Sequence, residues 1–230
     1  MISCYESKSA TKSNSKDISK YIEDYKLDYP ILISDLYAEF PDMKQGSIRQ
    51  IMKRLHDTGI IEKAAQGVYY KPNPNRTIST NNLSTGKIVE EKYLNYNGKV
   101  VGYKSGIVFA NQLGLTTQVA SIEIIISNVV SNKKRKIDIN NGKIIVNAPR
   151  VEVTDQNYKL LQILDLMNDF DALSEIELES AIPIIKEHLR GLNLTRKDIE
   201  FCVDQYPLQA QVNFYKMGVY NEFTNEKRNN

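Results

Sequence analysis

Few side chains in this 230-residue sequence have the types and spacings that covalent chemistry needs. His56 and His188 are the two histidines, and nothing of metal-ligand spacing surrounds either. Cys4 and Cys202 stand alone, giving neither a metal motif nor a disulfide framework. Lys104-Ser105-Gly106 invites a nucleophile reading. No Gly-x-Ser-x-Gly elbow encloses it, however, and Ser105 sits where a helix cap is expected. Glu175, Glu177 and Glu179 alternate with apolar residues and read as a solvated face. A glycine-rich phosphate loop is missing. The expectation is therefore a chain that is not an enzyme and that holds no metal and no cofactor.

The chemistry the sequence does offer is recognition of a polyanion. From Met43 to His56 it holds Lys44, Arg49, Lys53 and Arg54 with no acid among them. Ile48, Ile51, Met52 and Leu55 recur at i, i+3, i+4 and i+7, so they share one face of a helix. The opposite face carries Gln45, Arg49, Gln50 and Lys53. Charge on the far side of an amphipathic helix is commonplace, so the neighbouring segments decide the reading. Gly59 supplies the left-handed conformation that closes a helix. Ile60–Lys63 and Gly67–Lys71 then read as a hairpin around Ala64–Gln66, with Pro72 ending it.

Upstream, Asp17 is placed to cap a helix to about Tyr25, with Ile18, Tyr21, Ile22 and Tyr25 inward. Pro30 breaks the chain. Ser34 is expected to cap a second helix, Asp35–Phe40, and Pro41-Asp42 to turn into the basic helix. Helix, helix, helix, hairpin is the order of a winged helix-turn-helix, whose third helix enters the major groove while the hairpin lies along the backbone. Lys44, Gln45, Ser47, Arg49, Gln50 and Lys53 are the expected groove residues, with Lys63 and Gln66 on the wing. His56 ends the helix, suited to a phosphate contact or a plain C-terminal charge.

Length suggests two domains, and 41% hydrophobic residues are enough for packed cores. No apolar run approaches membrane length and the start is polar, so a cytoplasmic protein without a membrane partner is expected. The net charge of +2 hides an asymmetry. Residues 81–150 hold 10 basic and 4 acidic side chains, whereas residues 151–230 hold 8 and 14. A basic middle beside an acidic end means two different binding surfaces or two segments that pack together.

The expected organisation is a disordered tail (1–16), a DNA-binding domain (17–73), a linker (74–84) and a second domain (85–230), in all an α+β protein. The second domain is expected to be mixed α/β over 85–150 and helical over 151–230. Ser84 opens a helix to about Tyr96, ended by Gly98. Val100–Tyr103, Ser121–Ser127, Ile137–Ile139 and Lys143–Asn147 read as strands, with a basic turn at Lys133–Lys136. Helices follow at Ser105–Leu113, Asp155–Met167, Leu178–Leu189, Thr195–Asp204 and Pro207–Val219. Pro183 suits the middle of no helix and is expected to mark a break.

The segment from Gly102 to Val119, with Ser105-Gly106, Ala110-Asn111 and Leu113-Gly114-Leu115-Thr116-Thr117-Gln118-Val119, resembles a block of the AbiEi-type antitoxin and regulator family of abortive-infection systems. In that family the block follows a winged helix ending in Gly-x-Tyr and a nearby proline, as Gly67-Val68-Tyr69 and Pro72 do here. The likeness covers residues 30–147 well. Lys104 stands where a proline is usual, and Ile125–Asn128 replaces a Leu-Thr-Asp-Gly-like ending. The resemblance implies a repressor that binds the double-stranded operator DNA of its own operon. It also implies antagonism of a nucleotidyltransferase-like toxin without a stable complex.

Glycines 102, 106 and 114 read as turn-makers. Tyr103, Lys104, Ser105 and Gln118, beside Lys134 and Arg135, form the candidate antitoxin surface. The alternative from another class is a free-standing regulator or a protein-interaction module with no toxin partner.

Overall fold

The computed structural model describes residues 17–75, 83–130, 135–139 and 142–220. The expected tail, most of the expected linker and Lys133 and Lys134 lie outside the described residues. The fold is α+β, in two compact units, Met1–Ile88 and Val89–Asn230.

The first unit runs α1 (residues 17–23), β1 (Pro30–Leu32), α2 (Ile33–Glu39), α3 (Gln45–Asp57), β2 (Glu62–Ala65) and β3 (Val68–Tyr70). The three strands form an antiparallel sheet in the order β1-β3-β2. Its core gathers apolar residues of α1, β1, α2 and α3 with Ile61, and Ile18, Ile22, Ile31, Leu36, Ile48, Met52 and Ile61 are almost fully buried. Two local expectations are corrected. Pro30 starts an edge strand instead of breaking the chain, which suits a residue without an N–H to donate. Ser34 does not cap α2: Leu32 holds that position, and the Ser34 hydroxyl turns to Asp35 Oδ1 at 3.2 Å.

At the boundary lies α4 (Thr85–Val89), whose first turn is satisfied by Ser84 Oγ accepting from Lys87 N at 3.3 Å. A π-helical turn, Glu90–Leu94, follows in the second unit. The expected helix to Tyr96 stops there. Asn97 (φ 50°) and Gly98 (φ 74°) instead turn a two-stranded hairpin, β4 (Asn95–Tyr96) and β5 (Lys99–Val100). Two successive positive-φ residues of Asn-Gly type are what a tight hairpin requires.

A four-stranded sheet comes next, from β6 (Gly102–Ser105), β7 (Glu123–Ser127), β8 (Arg135–Ile139) and β9 (Gly142–Asn147), in the order β6-β7-β9-β8. Only the central β7/β9 pairing is parallel. Gly102 opens β6 where the Tyr93 and Ile126 carbonyls close in from either side. Between β6 and β7 sits α5 (Gly106–Gln112), closed by Gly114. Arg135 and Lys136 belong to β8 and not to a turn.

The rest is helical: α6 (Tyr158–Asn168), α7 (Phe170–Leu173), α8 (Leu178–Leu189), α9 (Arg196–Asp204) and α10 (Leu208–Lys216). Buried on nearly every side, α6 is the axis around which β6, α5, α8, α9 and α10 pack. It starts three residues later than expected, with Asn157 at its N-cap, and Asp155 Oδ1 accepts from Val100 N at 2.9 Å. Thr195 and Asp198 form a reciprocal capping box that starts α9. Pro183 lies inside α8 without ending it. Its ring is exposed, so water can serve the carbonyl it leaves unpaired, while Ala181, Ile185 and Leu189 keep the helix anchored.

Candidate nucleic-acid interface

Burying Ile48, Ile51, Met52 and Leu55 fixes how α3 is rotated. At 100° per residue the outward sector then falls on Gly46, Gln50, Lys53 and Asp57, with Arg49 and Arg54 flanking it. Lys44, Gln45, Arg49, Gln50 and Lys53 are all exposed, and Ser47 is half-buried. The 13 residues give a rod about 20 Å long, acid-free until Asp57.

Arg49 is not a loose side chain. Its Nε donates to the Tyr37 hydroxyl of α2 at 2.6 Å, and its guanidinium carbon lies 5.7 Å from the Tyr37 ring centre. Tyr69 of β3 stands nearby; burial, and next the Tyr37 phenol, raise its hydroxyl above the usual range. The ring of His56 packs edge-on to Tyr69 at 6.4 Å, and its Nδ1 lies 3.2 Å from the Ile61 carbonyl. An aromatic strip from α2 and β3 thus supports one flank of α3. Sequence reasoning missed Tyr37, whose only signal was a half-buried position on the short α2.

The turn out of α3 follows from Gly59, at φ +76°. Gly59 N donates to His56 O and Ile60 N to Leu55 O, the paired bonds of a Schellman cap. The chain passes straight into β2, which pairs with β3 through a bulge between Lys63 and Ala65. Gln66-Gly67 makes the tip, and Gly67 O accepts from Ile33 N at 3.0 Å, tying the tip to the start of α2. Lys63 and Gln66 are exposed on this short hairpin.

The second set of candidate residues does not form one surface. Tyr103 is buried, its hydroxyl donating to Asp165 Oδ2 at 2.8 Å and lying 3.4 Å from the Tyr206 hydroxyl. Ser105 is buried beside it on the same face of β6, and although it holds the N-cap position of α5 its hydroxyl makes no cap bond. Lys104 points to the opposite face, where it pairs with Glu123 at 2.7 Å. Register carries Lys104 across Ile125 and Val146 to Arg135, so the two cations share a face. They stand on opposite edge strands, three spacings or about 14 Å apart. Beside Arg135 sits Lys92, which burial and then the Arg135 charge push down to about 8. Lys134 lies outside the described residues.

Gln118 belongs to a separate loop with a structural explanation of its own. Asn111 Nδ2 donates to the Thr116 and Gln118 carbonyls. The Glu175 carboxylate accepts from Thr116 Oγ1, Thr117 N and Thr117 Oγ1, and Glu175 N donates back to Leu115 O at 2.8 Å. Glu175 is therefore a latch for the Leu115–Gln118 loop and not part of a free solvated face. These bonds hold its carboxyl below the usual range.

Among the described residues no cluster of three His, Cys, Asp or Glu side chains is placed to hold a metal. Burial, followed by Asp198, pushes the Cys202 thiol up to about 11, where it is no nucleophile at neutral pH. Among the described residues no helix is long and apolar enough to cross a membrane.

These features define an α+β protein with an exposed basic helix set against a three-stranded sheet. A model for a family of unknown function (DUF6088) matches residues 18–187, and the chain belongs to that family. No curated protein matches it.

Proposed function

We propose that residues 17–73 are a winged helix-turn-helix and that the chain is a sequence-specific DNA-binding repressor of its own operon. One observation carries the reading: α3 presents Gln50 and Lys53 outward with Arg49 and Arg54 on the flanks, and no acid precedes Asp57 at its end. The β2–β3 hairpin follows at once with Lys63 and Gln66 exposed. A helix of this width fits the major groove, and the lysines supply phosphate contacts that release counterions.

The test is fluorescence anisotropy with a duplex from the DNA just upstream of the coding sequence, read against a scrambled duplex. Wild type should prefer the native duplex, and Arg49→Ala/Lys53→Ala should lose that preference. Equal binding by the double variant sinks the assignment.

The second unit is proposed to antagonise a nucleotidyltransferase-like toxin without a stable complex. Support comes from the Gly102–Val119 resemblance alone. Growth rescue by full-length Arg49→Ala/Lys53→Ala, co-expressed with the product of the adjacent gene, separates this role from DNA binding. Failure of wild type to rescue leaves a free-standing regulator.

A further inference from the structure

Between the four-stranded sheet and the end of α6 lies a cavity of about 910 Å³ that neither the DNA-binding nor the toxin reading uses. Ile124 and Ile126 of β7 form one wall, Leu173 of α7 another, and Pro149 part of a third. Half-buried Asp165 and buried Tyr103 line it, and Arg150, Asp169 and Ala172 are exposed members of the lining. A space of this size suits a small organic molecule.

Its polar groups are biased toward accepting. The Asp165 carboxylate accepts from Tyr103 at 2.8 Å and also from Tyr206, and among the described residues Asn147 Oδ1 is enclosed with no hydrogen-bond partner. Buried acceptors are rarely left unmatched, so the second observation marks a missing donor. Asp169 adds a second carboxylate at the rim. Arg150, the one cation among the described lining residues, has its guanidinium carbon 5.5 Å from the Tyr206 ring centre. Among the described residues, two carboxylates against one arginine leave the lining with a net negative charge.

We infer that this cavity is a binding site for a small amine, with an ammonium or guanidinium group donating to Asp165 and Asn147 and an apolar body lying between Ile124, Ile126 and Leu173. The site goes beyond the DNA-binding reading and stands independently of it. Four charged or titratable groups face Asp165: Tyr103 from β6, Arg150 from the segment after β9, Tyr206 from the segment before α10, and Asp169 at the end of α6. Burial outweighs the Tyr103 hydrogen bond and the Arg150 charge, so the Asp165 carboxyl is pushed up to about 6. Amine binding should tighten as pH rises through that value, because the carboxylate then carries its charge without the ligand.

The experiment is calorimetry on the full chain with tyramine and agmatine as probes, against tyrosol and 4-hydroxyphenylacetate, the neutral and anionic counterparts of tyramine. Tyramine or agmatine should bind saturably, at least about tenfold tighter than either counterpart. Asp165→Asn should erase that preference while retaining secondary structure. Ala172→Trp, which adds bulk at an exposed residue of the lining, should abolish binding of all four, and it decides the matter should Asp165→Asn fail to fold. Any one of three results overturns the site: no saturable amine binding at millimolar concentration, equal affinity for the neutral or anionic counterpart, or undiminished binding by Ala172→Trp.

Discussion

Arg49 on α3 is held by Tyr37 on α2: Nε donates to the phenolic oxygen at 2.6 Å. With Nε engaged, the two terminal nitrogens remain as a planar pair on an exposed side chain, the arrangement that matches guanine O6 and N7. Tyr37→Phe removes the tether and keeps the ring. It should weaken native-duplex binding by about two- to tenfold, the worth of one hydrogen bond, with little change in folding stability. Arg49→Ala should cost about 1–3 kcal/mol, and Arg49→Lys should not restore it. Anisotropy titration reads all three, and wild-type affinity in Tyr37→Phe would remove Arg49 from base reading.

Lys53 and Lys63 are exposed point charges, suited to phosphate contact. Lys53→Ala and Lys63→Ala should each weaken native and scrambled duplexes alike. Each should lower the slope of log affinity against log salt by about one unit. A slope unchanged across a salt series would show that the lysine meets no phosphate.

Two glycines, one in the first turn of α3 and one just past its end, should respond oppositely. Gly46 is inside α3 with open space where a Cβ would stand, so Gly46→Ala should stabilise the protein by up to about 1 kcal/mol. Gly59 has equal space but sits at φ +76°, so Gly59→Ala should destabilise by about 1 kcal/mol or more. Denaturant unfolding separates the two. Gly46→Ala also tests the interface, since an added methyl on the outward sector should impede close approach of DNA.

His188 on α8 packs edge-on to Phe109 at 5.1 Å, with Nε2 enclosed and unpartnered. Burial, and next the Lys159 ammonium, hold its imidazole down to about 4 from an ordinary 6.5. The unfolded chain therefore binds a proton more readily than the folded one. Stability contributed by neutral His188 is complete above pH 6.5 and is lost as pH falls toward 4. Thermal unfolding across this window should show wild type losing ground to His188→Phe as the pH drops. Parallel curves for the two proteins would mean that His188 is not enclosed in solution.

Where periodicity was strong, the sequence predicts the fold closely. The apolar stripe of α3, the span of α8 and the Thr195 cap of α9 all lie where pattern and cap chemistry place them. What escapes prediction depends on partners distant in sequence. Pro30–Leu32 is three residues long and becomes a strand only by pairing with Val68–Tyr70. Glu175 looks like one of three solvated acids until its bonds to Thr116 and Thr117 are seen. At the basic helix, the exposed residues follow from the core stripe, whereas Tyr37 follows only from how α2 lies against α3. The cavity has no linear signature, since Tyr103, Asn147 and Asp165 are brought together by register and by the path of α6.

Gly102 has a further effect on assembly of the sheet. A Cβ there would stand 2.1 Å from the Tyr93 carbonyl oxygen and 2.5 Å from that of Ile126. That rung has no room for any side chain, and sliding β6 one step either way would drive Val101 or Tyr103 into it. Slipped pairings are therefore excluded by hard contact and not merely by lost apolar burial. Misaligned strand pairs are the traps that slow sheet formation and expose edges to other chains. With them blocked at β6, the alignment of β6 on β7 falls on one residue that has no side chain.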